Sequence, residues 1–341
     1  MFAKRGKTIV AFVFAGILCL ALIFTETIAE AGPLTLKYSV AWPKGHFSTD
    51  TAYRIAELVE KRTNGEIKIT VFPAQQLFKV SKHFDAHRDG LIDLSCTPSA
   101  YFTGFEPMGE YETLPGLFSS IAEGKRIYNP FAPRNEPIKI MNEVMAKHNM
   151  RFIACNWMTP VFASTKIVIR PKDLKGVSVR VSGKCVSTGY QNAGASIVAM
   201  PSAELYTALQ RKTIDACLTS ADTVLTSHIY EVTNFINLYP AYVNPNEHWI
   251  TLSTWNKLTL EQQGILMDCA KIADEEALAA YYKQHQQLIK IYKDRKDTVH
   301  EPTPEEVKEW NDALRPSALA LFKKLTGKDG ERFLAAVERL R

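Results

Sequence analysis

Arg170-Pro171-Lys172-Asp173-Leu174-Lys175-Gly176-Val177-Ser178-Val179-Arg180-Val181 is the stretch on which the fold turns. A polar turn runs to Gly176, and then Val177, Val179 and Val181 alternate with Ser178 and Arg180, the period of two expected of a strand. The same grammar stands about 110 residues earlier, where Asn64-Gly65 precedes Ile67, Ile69 and Val71 and Phe72-Pro73 closes the run. A second pair of signals keeps the order. Arg88-Asp89-Gly90-Leu91-Ile92-Asp93 is echoed by Arg211-Lys212-Thr213-Ile214-Asp215, each leading from a helix into a short apolar strand. Two similar α/β lobes are implied.

Outward from these signals the chain reads βαβα. Leu34, Leu36 and Tyr38 alternate toward Ala41, and Ala52, Ile55, Ala56 and Val59 recur at helical spacing. After the strand at Ile67, a crossover helix leads to a strand at Ile92-Asp93-Leu94, an order that predicts a mostly parallel sheet with right-handed crossovers. Arg151-Phe152-Ile153-Ala154-Cys155 reads as a strand crossing from one lobe to the other. Beyond Val243 the pattern turns helical, from Thr259 to Arg295 and from Thr303 to the end. Thr303 serves as a cap with Pro304 in the first turn. These helices are expected to brace the lobes. The predicted division is residues 32–154 with about 243–285 in the first lobe, and 155–242 with about 286–341 in the second lobe and its bracing helices.

Residues 1–31 read as a signal peptide: Lys4, Arg5 and Lys7, an apolar run from Ile9 to Phe24, then Ala29-Glu30-Ala31. The run is shorter than the roughly 20 residues a membrane-spanning helix needs. Cleavage after Ala31 would remove three basic and two acidic residues and lower the formal charge from +5 to +4. That excess forms no basic tract, so no nucleic-acid footprint is expected. Cys96, Cys155, Cys185, Cys217 and Cys269 remain, an odd and scattered set without a C-x-x-C pair. They read as buried thiols, with a Cys185 to Cys217 bridge left open.

The sequence carries no G-x-S-x-G elbow, phosphate loop, H-E-x-x-H or G-x-G-x-x-G. His83 and His87 stand four apart on a predicted helix, the spacing of a zinc pair, but Lys79, Lys82 and Arg88 around them favour a solvated face. Arg180 is the informative residue. Alternation points it away from Val179 and Val181, and both faces of a parallel sheet are covered, so a cation there needs a partner. Two readings stand: a structural ion pair with a nearby aspartate, or a guanidinium fork awaiting a ligand carboxylate.

A resemblance separates them. Asp173-Leu174-Lys175-Gly176 with Arg180, then Gly194-Ala195, Met200-Pro201, and Glu204-Leu205-Tyr206-Thr207-Ala208-Leu209-Gln210 with Asp215, resembles the solute-binding subunit of tripartite ATP-independent periplasmic (TRAP) transporters of the DctP type. Leu58-Val59-Glu60-Lys61-Arg62-Thr63-Asn64-Gly65, Val71-Phe72-Pro73 with Gln76-Leu77, and Leu114-Pro115 before Leu117-Phe118 resemble the same family. The likeness covers essentially the whole chain after the leader. It implies a two-lobed periplasmic binding protein fold that closes over a small organic anion, with Arg180 on the ligand carboxylate. It also implies TRAP membrane subunits as partners and the periplasm as location. Two departures from the family pattern, at Thr219-Ser220 and at Thr159-Pro160, remove a commonly seen asparagine and a second arginine. A monocarboxylate, or a dicarboxylate held partly by neutral donors, is then favoured over a doubly clamped diacid.

The rest of the wall is sought where loops leave the carboxyl ends of strands. This selects His46 and Phe47, Ser99 and Tyr101, Trp157 and Thr219, with core packing as the alternative for the aromatics. Tyr242, Glu247, His248 and Trp249 either cap the cleft or stabilise the interdomain crossing. The protein is read as a non-enzymatic monomer. A secreted enzyme would need a paired acid and base, and Asp215, Asp222 and Glu204 have no evident partner. A ligand-presenting subunit for a membrane sensor would share the fold. No cofactor is required, although a ligand-bridging metal ion with oxygen donors such as Glu247 stays open.

Overall fold

The computed structural model describes residues 32–132 and 134–341; the signal-peptide assignment lies outside them. The body from Thr35 to Arg341 carries both lobes. The first half of the chain forms β1 (Leu34–Val40), α1 (Phe47–Arg62), β2 (Ile67–Phe72), α2 (His83–Arg88), β3 (Leu94–Cys96), α3 (Ile121–Ile127), α4 (Glu136–Ala146) and β4 (Met150–Met158). Next come β5 (Pro160–Ser164), β6 (Ser178–Arg180), α5 (Lys184–Asn192), β7 (Ser196–Val198), α6 (Leu205–Gln210), β8 (Ala216–Ser220), α7 (Ala221–Thr226) and β9 (Phe235–Asn237). The chain ends with β10 (Asn244–Thr251), α8 (Leu252–Trp255), α9 (Leu260–Asp294), β11 (Thr298–His300) and α10 (Pro304–Arg339).

The strands make two sheets, ordered β2-β1-β3-β10-β4 and β11-β9-β5-β8-β6-β7. Both are mixed. β1 is parallel to β3, and β6 is parallel to β7 and β8, as the βαβ pattern requires. The strands tied to the crossings run the other way: β10 is antiparallel to β3 and β4, and β5 to β8 and β9. The reason is geometric. Pro160, where β5 begins, pairs with Ser220, where β8 ends. The crossing strand therefore enters the second sheet from the side toward which the βαβ strands point. The predicted boundary at 154/155 falls inside β4, which stays in the first sheet to Met158; the chain passes between sheets at Thr159.

Both long helices belong to two cores. Thr259 and Gln262 close a capping box at the head of α9. Cys269, Ala270 and Ala273 of α9 pack with Tyr38, Ile55 and Ile250 of the first lobe, and its Leu288 and Tyr292 with Val161, Leu209 and Ile236 of the second. Thr303 and Glu306 start α10 in the same manner. Its Trp310 and Leu314 bury against Val179 and Tyr190, and its Phe333 and Val337 against Tyr111 and Tyr128.

The solvated face expected for His83 and His87 is corrected. Both rings are fully buried. His83 meets Ser39 Oγ at 2.9 Å and also Thr97 Oγ1, while His87 meets Ser95 Oγ and Thr251 Oγ1, each at 2.7 Å. Burial holds them neutral, lowering His83 to about 4 and His87 to about 3. Lys82 and Arg88, which suggested solvent, do lie exposed on the other flank of the same turn. Among the described residues no group of three or more His, Cys, Asp or Glu side chains is placed to hold a metal ion. All five cysteines are buried free thiols, so Cys185 and Cys217 form no bridge.

Candidate functional site

A cavity lies where β6 and β8 of the second lobe point at the loops following β3 and at the start of β10. Its volume is about 60 Å³. At about 10–15 Å³ of occupied volume per molecule, that is room for roughly four to six waters. Arg180, Ser182, Thr219 and Ser220 form one wall; Tyr101, Glu112, Thr113 and Asn244 form the facing one. Tyr242, on the returning crossover, completes it.

Arg180 is the last residue of β6 and is 4% exposed. Its Nε–H donates to Met200 O at 3.0 Å and its Nη1 to Leu218 O at 3.5 Å. These bonds fix the guanidinium plane but leave N–H donors over. No carboxylate among the described residues stands within 4.0 Å of it. The aspartate that would make a structural pair, Asp215, is engaged elsewhere: Lys166 Nζ donates to it at 2.9 Å, as do Ser178 N and Oγ. A buried cation without a counter-ion is costly, and an anion in the cavity would offset that cost.

The facing wall is acidic and tightly tied. Glu112 Oε1 accepts from Asn244 Nδ2 at 3.0 Å, and its Oε2 from Ala100 N at 2.7 Å. Behind it, Glu247 Oε2 accepts from Ser99 N at 2.6 Å, and Oε1 from Tyr111 Oη at 2.5 Å. Ser99 Oγ sits between the two acids, 2.9 Å from Glu247 and 3.3 Å from Glu112. Burial raises the pKa of both carboxyls, and the charge of Glu247 raises Glu112 further. Two like charges so close and so dry retain a proton between them.

The lobes touch around this cavity. His46 Nε2 stands 2.6 Å from Asp222 Oδ2, at ion-pair distance though without hydrogen-bond alignment, with one residue from each lobe. Cys185 N, at the head of α5, donates to Glu110 Oε2 at 2.9 Å. Gly183, at φ +99°, approaches Thr113 so closely that a Cβ there would lie 2.2 Å from Thr113 Oγ1. The conformation is the shut one.

Of the residues proposed from sequence, Arg180, Tyr101 and Thr219 come together on the cavity wall. Ser99 lies directly behind it and holds the acid pair. His46 is sandwiched between Trp42 and Phe47, with ring centroids 4.3 and 5.0 Å away, and faces Asp222. Phe47 packs on Tyr281 at 5.9 Å. Trp157 is not brought to the cavity: alternation along β4 sends Met158 to it and Trp157 to the opposite face. There it lies against Phe118 and Tyr128, over Gly124. Sequence reasoning missed Glu112, Thr113 and Asn244. A signal existed. Asn244, Asn246, Glu247 and His248 are polar, yet every residue of β10 is buried, and polar residues on both faces of a covered strand need partners or a ligand.

Comparison with known proteins gives the same architecture. The family profile of the bacterial extracellular solute-binding proteins, family 7 (DctP), matches residues 38–325. A solute-binding protein of Albidiferax ferrireducens is 25% identical over 306 residues, covering 86% of this chain and 88% of the relative. The 2,3-diketo-L-gulonate-binding periplasmic protein YiaO of Escherichia coli is 26% identical over 239 residues, covering 70% of this chain and 72% of its own. A crystal structure of a TRAP periplasmic solute-binding protein from Rhodoferax ferrireducens, with bound malonate, superposes with a TM-score of 0.82 at 24% identity. It covers 89% of this chain and 98% of that one.

Proposed function

This chain belongs to the DctP family of bacterial extracellular solute-binding proteins, and we propose that it captures a small organic acid in the periplasm and delivers it to the membrane subunits of a TRAP transporter. The observation that carries the proposal is Arg180, buried at the end of β6 and without a carboxylate partner among the described residues. A ligand carboxylate would supply the missing counter-charge in a dry site, where charge-assisted hydrogen bonds are strongest. Because the walls come from different lobes, a ligand that bonds both favours the shut state by its extra contacts. The function is binding rather than catalysis, the working form is a monomer, and no cofactor enters it.

The test is a thermal-shift screen of the purified protein against mono- and dicarboxylates, keto acids, sugar acids and neutral sugars. Stabilisation by one class of acid, lost in Arg180→Ala, is the expected result. Response to neutral sugars with silence across the acids would sink the carboxylate clamp.

A further inference from the structure

Among the described residues of the cavity wall, Arg180 is the basic one and Glu112 the acidic one, and they come from opposite lobes. A carboxylate bound at Arg180 therefore has its far end turned toward an acid and not toward a second cation. The neighbour of that acid is informative. Asn244 is 5% exposed, and its Nδ2 donates to Glu112 Oε1 at 3.0 Å. The other amide atom, Asn244 Oδ1, is an acceptor buried without a hydrogen-bond partner. Thr113 Oγ1, on the same wall, is likewise unpartnered. A buried carbonyl oxygen without a donor is costly, so a ligand that supplies one is favoured. A second carboxylate supplies none and brings charge against an acid pair.

We propose that Asn244, held by Glu112, selects a small monocarboxylate whose remote end carries a hydrogen-bond donor, a hydroxyl or an N–H, over the corresponding dicarboxylate. The inference rests on the carboxylate reading of Arg180 and adds the chemistry of the other pole. Ser99 and Glu247 act through Glu112 as positioning groups, since they fix its carboxyl plane and thereby the Asn244 amide. The size of the cavity sets the scale at a few carbons.

The experiment is calorimetric titration of the full protein with two matched series. One is propanoate, 3-hydroxypropanoate, 3-aminopropanoate and malonate; the other is butanoate, 4-hydroxybutanoate, 4-aminobutanoate and succinate. Within each series only the remote group changes. In at least one series, the hydroxy or amino acid is expected to bind tenfold or more tighter than both the parent acid and the diacid. Asn244→Leu should reduce that advantage over the parent acid to within about threefold. Glu112→Gln should narrow the gap to the diacid, with circular dichroism confirming that both variants are folded. A diacid that binds tighter than its hydroxy and amino partners in both series overturns the inference, as does a donor advantage that survives Asn244→Leu. Arg180→Met separates the two levels. Parent-acid binding that depends on Arg180 without donor selectivity refutes this inference alone; binding indifferent to Arg180, or silence of both series, refutes the carboxylate reading with it.

Discussion

Replacing Arg180 by methionine should weaken ligand binding while leaving the unliganded protein at least as stable, a combination that a structural arginine cannot produce. Two charge-assisted bonds to a carboxylate at about 1.5–3 kcal/mol each, within the 2–5 kcal/mol typical of truncating a buried charged partner, give a loss of about 3–5 kcal/mol. That is roughly 150- to 5,000-fold in Kd. On the stability side, the variant gives up the bonds to Met200 O and Leu218 O, about 1 kcal/mol each. It also removes a desolvated cation with no counter-ion, a relief of several kcal/mol. The two offset, so the ligand-free Tm should hold or rise by a few degrees at about 2–4 °C per kcal/mol. Calorimetric titration against the best acid of the screen reads the first quantity, and differential scanning calorimetry without ligand the second. Arg180→Lys should bind almost as poorly, because an ammonium cannot form the planar fork. A ligand-free Tm lowered by ten degrees with unchanged Kd would show that Arg180 is a structural residue and refute the reasoning.

Gly183→Ala should hold the lobes apart, since its Cβ would meet Thr113 Oγ1 at 2.2 Å and Thr113 Cβ at 2.9 Å across the cleft. The expected result is at least about tenfold weaker binding, worth about 1.4 kcal/mol, with the liganded protein keeping its open radius in small-angle scattering. His87 lowers stability in acid. Its pKa is near 3 in the folded protein against 6.5 outside it, so below pH 6.5 the unfolded chain binds the extra proton and stability falls as pH drops. The cost is about 1.4 kcal/mol per pH unit. His87→Asn should therefore destabilise less, relative to the parent, at pH 5 than at pH 7.5 by about 2 kcal/mol in urea titrations; an equal penalty at both would show the ring is charged when folded. Because Cys96, Cys155, Cys185, Cys217 and Cys269 are buried free thiols, residues 32–341 should show five reactive thiols in denaturant and almost none natively within minutes of adding a thiol reagent.

The two-lobed α/β plan was legible because it depends on local periodicity and on order along the chain. Val177, Val179 and Val181 alternate in any context, and Thr259 and Thr303 cap their helices by contacts three residues away. Arg180 stood out for a related reason: a charge in an apolar strand violates the pattern, whereas its role on a carboxylate was implied by the family resemblance. The direction of the crossing strands was not legible, because it follows from which side β5 enters the second sheet. Nor was the fate of His83 and His87, whose spacing and flanking lysines suit a solvated face; the sheet beneath α2 supplied hydroxyl partners from residues as distant as Thr251.

The facing wall of the cavity was decided by tertiary structure alone. Glu112, Asn244 and Ser99 lie far apart in sequence and meet because β10 returns between β3 and β4. Their hydrogen bonds span 132 residues from Asn244 to Glu112 and 148 from Ser99 to Glu247. A sequence states which side chains can donate, accept or carry charge. Which of them are left without a partner when the chain closes on itself is a property of the whole fold. In this protein that remainder, the N–H groups of Arg180 left over and the bare Oδ1 of Asn244, is the ground on which the ligand is proposed.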